Sequence, residues 1–138
     1  HKHYTVEQWN RFLTNNNNVY DYIAVPSGTS DSDLDKLDQI LNLESTIKFI
    51  CLDVANGYTD LFLDTIRKVR KKYPNKIIIA VNIVTPEIVE REHEAGVNIM
   101  KCGIGVGSVC TTRIKTGIGY PQLSCIIDCS SGSVVETT

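Results

Sequence analysis

The sequence predicts a parallel α/β fold assembled from repeated helix–strand units, and three observations carry that expectation. Amphipathic helical patterns alternate along the chain with short apolar runs. The longest of these, "KIIIAVNIV", is almost unbroken, as expected of a strand covered on both faces. Polar and glycine residues recur just after each run, where parallel strands gather functional groups along one rim.

The elements follow in order. In "TVEQWNRFL", Thr5 with Gln8 has the form of a capping box, and Val6, Trp9 and Leu13 share one helical face. Tyr22 to Val25 is a short apolar strand ended by Pro26 and Gly28. "SDSDLDKLDQIL" carries its acids at the start, where the helix dipole favours them, and aligns Leu34, Leu37 and Leu41. "IKFICLDV" is the next strand, stopped at "ANG".

A helix from Asp60 to Tyr73 then turns Phe62, Ile66, Val69 and Tyr73 inward. Its basic end, "RKVRKK", complements the dipole and stops at Pro74, so it reads as a solvated helix end rather than a nucleic-acid site. "KIIIAVNIV" follows. Thr85 is placed to cap the next helix, with Pro86 in its first turn and Gly96 at its end. "VNIMKCGIG" is a further strand, leading into "GIGVGSVCTTR", Gly103 to Arg113.

Right-handed βα crossovers of this kind build either a (β/α)8 barrel or a doubly wound sheet. The strand-end segments are "HKH" at 1–3, "PSGTS" at 26–30, "DVANG" at 53–57, "NIVT" at 82–85 and "GIGVGS" at 103–108. They amount to about five βα units, whereas a closed barrel takes eight and about 250 residues. If the fold is a barrel, residues 1–138 form one partial barrel domain that lacks the first strand and the last strands.

Composition narrows the function classes. The 138 residues are 42% hydrophobic with a formal charge of −2, which suits one globular unit with a real core. Neither nucleic acid nor membrane is expected as a partner, because there is no basic excess and no apolar run long enough to span a bilayer. "HKHYTVEQ" is not a signal peptide, and the expected location is cytoplasmic. The five cysteines are odd in number and form no CxxC pair; His93 stands alone in an acidic helix. Neither a disulfide framework nor a zinc site is expected. Cys51 is expected to be a small buried hydrophobe.

The glycine loop is where chemistry concentrates. Gly103, Gly105 and Gly107 alternate, so backbone carbonyls and amides are able to approach a cation or a phosphate closely. Ser108 adds a hydroxyl. Cys110 is a candidate nucleophile whose thiolate the amides and Arg113 would favour, with Thr111 and Thr112 positioned to orient water or relay protons. A glycine-rich turn with a structural cysteine remains open at this point, as does a purely capping role for Asp53 on the amides of "ANG".

"GIGVGSVCTTR" followed by "KTGIGYPQLS" resembles the nucleophile loop of the IMP dehydrogenase/GMP reductase family, and "ICLDVANGY" and "HKHY" resemble its reductase branch. The likeness runs from His1 to about Cys129. No large insertion follows the second strand, as one does in the dehydrogenases. The resemblance implies a (β/α)8 TIM barrel and NADPH-dependent reductive deamination of GMP to IMP and ammonia through a covalent cysteine thioimidate. It makes Cys110 the nucleophile and Thr112 the proton-transfer residue.

It further places Lys2, Asp53, Val54, Ala55, Ile104 and Gly105 against NADPH and Ser108 against the nucleotide phosphate. Gly105, Gly107, Cys110 and Arg113 would surround a monovalent cation such as K+. GMP and IMP are the implied small-molecule partners, and a homotetramer is the assembly typical of the family. Val81 and Val106 depart from the family pattern. With later strands missing, a chain of this length alone is expected to turn over GMP poorly. The alternatives are a truncated, non-catalytic nucleotide-binding variant or an IMP dehydrogenase-type oxidoreductase.

Overall fold

Thr5 opens the first helix, α1 (Val6–Asn15), with the expected reciprocal cap: Gln8 N donates to Thr5 Oγ1 at 3.2 Å and Thr5 N to Gln8 Oε1 at 2.8 Å. This computed structural model describes residues 2–131. Trp9 and Leu13 are buried against the rest of the core, as their spacing requires.

A short 3-10 turn, Tyr20–Tyr22, precedes β1 (Ala24–Ser27). The strand therefore begins and ends two residues later than expected. Tyr22 N is held by Val19 O at 2.9 Å, which takes Tyr22 out of the strand. Pro26 does not stop it, because β1 is the edge of the described sheet, where a missing N–H is tolerated.

The chain then alternates α2 (Asp31–Leu43), β2 (Phe49–Leu52), α3 (Asp60–Lys72), β3 (Ile77–Ile83), α4 (Pro86–Ala95) and β4 (Ile99–Cys102). The strands are parallel in the order β1-β2-β3-β4, with Ala24 beside Phe49, Phe49 beside Ile77 and Ile79 beside Ile99. Consecutive neighbours, each joined by a covering helix, are successive units of the kind that build a (β/α)8 barrel. Two helices that the sequence pattern did not suggest, α5 (Thr112–Thr116) and α6 (Gln122–Ser131), follow the glycine loop. The tail "GSVVETT" lies outside the described residues.

The core lies between the helices and one face of the sheet. Val25, Ile50, Leu52, Ile78, Ala80 and Ile83 meet Leu37, Ile40, Phe62, Leu63, Ile66 and Ile88 there. On the other face Pro26, Phe49, Cys51, Ile77 and Ile79 are only half-buried. This corrects the expectation for Cys51, whose position in the pleat turns it away from the helices. Tyr73, expected as the last inward residue of α3, is its half-buried C-cap.

Arg70, near the end of α3, ties the far end of the sheet together. It donates to Gly96 O at 3.0 and 2.6 Å, to Lys76 O at 2.8 Å, to Pro74 O at 3.0 Å and to the Asn98 side chain. Gly96 is required at that point: its φ is +109°, and a Cβ would lie 2.8 Å from Arg70 Cγ.

Candidate functional site at the C-terminal rim of the sheet

Each strand delivers its following segment to the same rim, as parallel strands must. After β2, Asp53 still donates its N–H to Ser27 O at 2.8 Å, while its carbonyl accepts from Lys2 Nζ at 3.0 Å. Lys2 and Asp53, far apart in sequence, are thus brought together. Amide capping in this loop falls to Asn56, whose Oδ1 accepts from Tyr58 N at 2.9 Å. Val54 is half-buried and Ala55 is exposed at the rim.

The loop is also tied to β3 by two residues that sequence reasoning did not single out. Asn82 Nδ2 donates to Val54 O at 2.5 Å, and Tyr58 Oη accepts from Val84 N at 3.1 Å. Tyr58 in turn donates to Thr85 Oγ1 at 3.3 Å. Thr85 holds the N-cap position of α4, but no helix amide donates to its side chain. Asn82 is the only non-glycine residue with positive φ among the described residues, at 65°, and it marks a break in register between Val81 and Ile83. Asparagine is the residue type that tolerates this backbone best after glycine, which was the available signal. Val81 itself is 9% exposed, on the same side of the pleat as Ile77 and Ile79.

After β4, Gly103 N donates to Ile83 O at 2.8 Å and the chain turns at Gly103 and Gly105, with φ of +126° and +70°. A Cβ on Gly105 would sit 2.4 Å from Arg113 Cγ, so the arginine stem is laid directly across the loop. Ile104 is 4% exposed, which leaves its backbone rather than its side chain for any ligand. Ser108 is exposed, and Gly107 O accepts from Cys110 N at 3.0 Å, closing a tight turn in front of the thiol.

Cys110 Sγ stands 3.3 Å from Thr112 Oγ1, at the start of α5. The Thr112 hydroxyl, then its backbone N–H, and the Arg113 charge hold the Cys110 thiol below the ordinary cysteine range. The structure therefore assembles one partly accessible, acidified thiol with a hydroxyl beside it, on a loop bent by glycines.

Glu92 on α4 was also missed. It is fully buried, both carboxylate oxygens lack a hydrogen-bond partner among the described residues, and Oε1 lies 3.2 Å from where a Cβ on Gly57 would be. Burial pushes its carboxyl up to about 8. Its acidic neighbours in "EIVEREHEA" gave no sign that this one faces inward, beyond its spacing from Ile88 and Ala95.

A family model described as the IMP dehydrogenase / GMP reductase domain matches residues 10–136. The chain belongs to the IMP dehydrogenase/GMP reductase family. Among similar proteins are a GMP reductase of Yersinia enterocolitica, 52% identical over 134 residues, and one of Escherichia coli O81, 49% identical over 134 residues. "GMP reductase 2" of Bos taurus is 49% identical over 133 residues. Each alignment covers 96% of this chain, and the chain spans about 38–39% of the length of these relatives. As a member of the IMP dehydrogenase/GMP reductase family, its parallel βα units are those of a (β/α)8 barrel. No helix among the described residues is long and apolar enough to cross a membrane.

The groups this family implies can be set against the residues present. No cluster of His, Cys, Asp and Glu among the described residues is arranged to hold a metal ion. A monovalent cation is better served by neutral carbonyl oxygens, and the glycine loop offers them. Gly107 O and Arg113 O already accept N–H groups, from Cys110 and Gly117, leaving one lone pair on each. For a dinucleotide, the rim presents Lys2, the exposed Ala55 and the bent backbone at Gly105 along neighbouring strand ends. Both groups fit the donor chemistry.

Proposed function

We propose that this chain carries the nucleophile loop and part of the cofactor rim of a GMP reductase, an NADPH-dependent oxidoreductase converting GMP to IMP and ammonia. The carrying observation is Cys110, its thiol held below the ordinary range beside Thr112 in the segment joining β4 to α5, in a chain about half identical to proteins named GMP reductase.

The residues divide the work as follows. Cys110 sulfur attacks C2 of the purine, and the C–N bond breaks once the departing amine is protonated. Thr112, within 3.3 Å of the sulfur, is placed to pass that proton and leave a thioimidate. When bound, NADPH would supply a hydride to C2, and Cys110 is the sulfur that would leave with the electrons of the C–S bond. Lys2, Asp53, Val54, Ala55, Ile104 and Gly105 orient the cofactor, and Ser108 meets the nucleotide phosphate. The carbonyls of Gly105, Gly107, Cys110 and Arg113 would hold a monovalent cation. Homotetrameric assembly and a cytoplasmic location belong to the same reading.

Intact mass measured with and without GMP tests the first step. A nucleotide adduct on the wild-type chain that is lost in Cys110→Ala is expected. An unchanged mass in the presence of GMP favours the truncated, non-catalytic reading, and an adduct that persists in Cys110→Ala overturns the assignment of Cys110.

A further inference from the structure

The loop between β2 and α3, residues 53–58, is fastened at both ends. At its start, Asp53 N donates to Ser27 O at 2.8 Å, and Val54 O accepts from Asn82 Nδ2 at 2.5 Å. At its end, the Tyr58 hydroxyl accepts from Val84 N at 3.1 Å and donates to Thr85 Oγ1 at 3.3 Å. Tyr58 N also donates to Asn56 Oδ1 at 2.9 Å. Between these ties Ala55 and Asn56 are exposed.

The two parts of the Tyr58 side chain do different things. Its ring and Val54 pack against the same hydrophobic core, which phenylalanine would do as well. Its hydroxyl reaches the first residues after β3, spending its proton on Thr85 and one lone pair on the Val84 N–H. Thr85 holds the N-cap position of α4, yet no helix amide donates to its side chain. Its hydroxyl serves the loop after β2 instead. Val84 is 8% exposed, so its amide is poorly placed to find water if the tyrosine oxygen is removed.

We propose that Tyr58 is a positioning residue for the cofactor. Its hydroxyl fixes the end of the 53–58 loop to the segment after β3, so that the backbone at Asp53, Val54 and Ala55 is ordered before a nicotinamide dinucleotide arrives. A loop held in this way loses less conformational entropy when the ligand binds. This role rests on the NADPH reading above and adds to it a residue that acts through the loop rather than on the ligand.

Tyr58→Phe is compared with the wild-type chain in three measurements: NADPH fluorescence titration, hydrogen–deuterium exchange, and the pH midpoint of iodoacetamide alkylation at Cys110. NADPH binding is expected to weaken about tenfold, as follows from leaving one amide unpaired and one loop unfastened. Exchange at residues 54–57 should quicken while the Cys110 midpoint stays where it is. Thr85→Val removes one of the two bonds and is expected to weaken binding less. A wild-type chain that binds no NADPH overturns the cofactor reading and this role with it. Equal NADPH affinity in wild type and Tyr58→Phe overturns this role alone. So does weaker binding accompanied by a shifted Cys110 midpoint or by faster exchange throughout β2 and β3, because the hydroxyl then supports the fold in general.

Discussion

The Cys110 thiol is held below the ordinary cysteine range by its neighbours rather than by exposure alone. The Thr112 hydroxyl is the largest influence lowering its titration, so Thr112→Val is expected to return the thiol toward ordinary cysteine behaviour. The pH midpoint of iodoacetamide alkylation at Cys110 then moves upward, and an unmoved midpoint would contradict the role given to Thr112. Glu92 makes the opposite case, a carboxyl driven toward its neutral form. Folded, it keeps its proton up to about 8; unfolded, it releases it near 4.5. The native state therefore binds the extra proton between those values, and stability falls as pH rises through that window. Replacing the group by Glu92→Leu should flatten that slope and raise the melting temperature at pH 8. Both chemistries depend on what surrounds a side chain, and only the first was legible: Cys110 stood among glycines and hydroxyls, whereas Glu92 looked like one more acid on an acidic helix.

At the scale of elements, strands and helices with strong periodic signals came out as read, and the exceptions have local causes. The capping box at Thr5 is one such signal, and Thr5→Ala is expected to cost about 1 kcal/mol in chemical denaturation. β1 slid by two residues because Pro26 is harmless on an edge, which sequence position alone does not reveal. α6 went unseen because its inward face is made of cysteines while Leu123, Ile126 and Ile127 point outward, at 72%, 49% and 58% exposure. The bend in β3 is a third case. Asn82→Ala should be more damaging than Asn82→Gly in a thermal melt, since alanine loses the Val54 contact and also keeps the strain of φ 65°. Equal losses from the two changes would show that the backbone conformation contributes little.

For the molecule as a whole, the sheet is packed on one side and half-open on the other. Ile78→Ala, under the helices, is expected to cost about 2–5 kcal/mol. Its neighbour Ile79, on the half-buried face, should cost clearly less, and urea titration of the two variants compares them directly. The alternation that separates them was visible only as an unbroken apolar run, so the sequence could place β3 in the interior without saying which face the helices cover. The Arg70 contacts complete the picture at the opposite end from the glycine loop. One guanidinium there holds α3, β3 and the turn into β4 through carbonyls at Pro74, Lys76 and Gly96. Local opening is therefore costlier at the base of the strands than at the rim. Backbone amides such as Ile78 and Asn98 should exchange with deuterium slowly and those of residues 105–112 quickly, so that motion is reserved for the rim that carries the glycine loop.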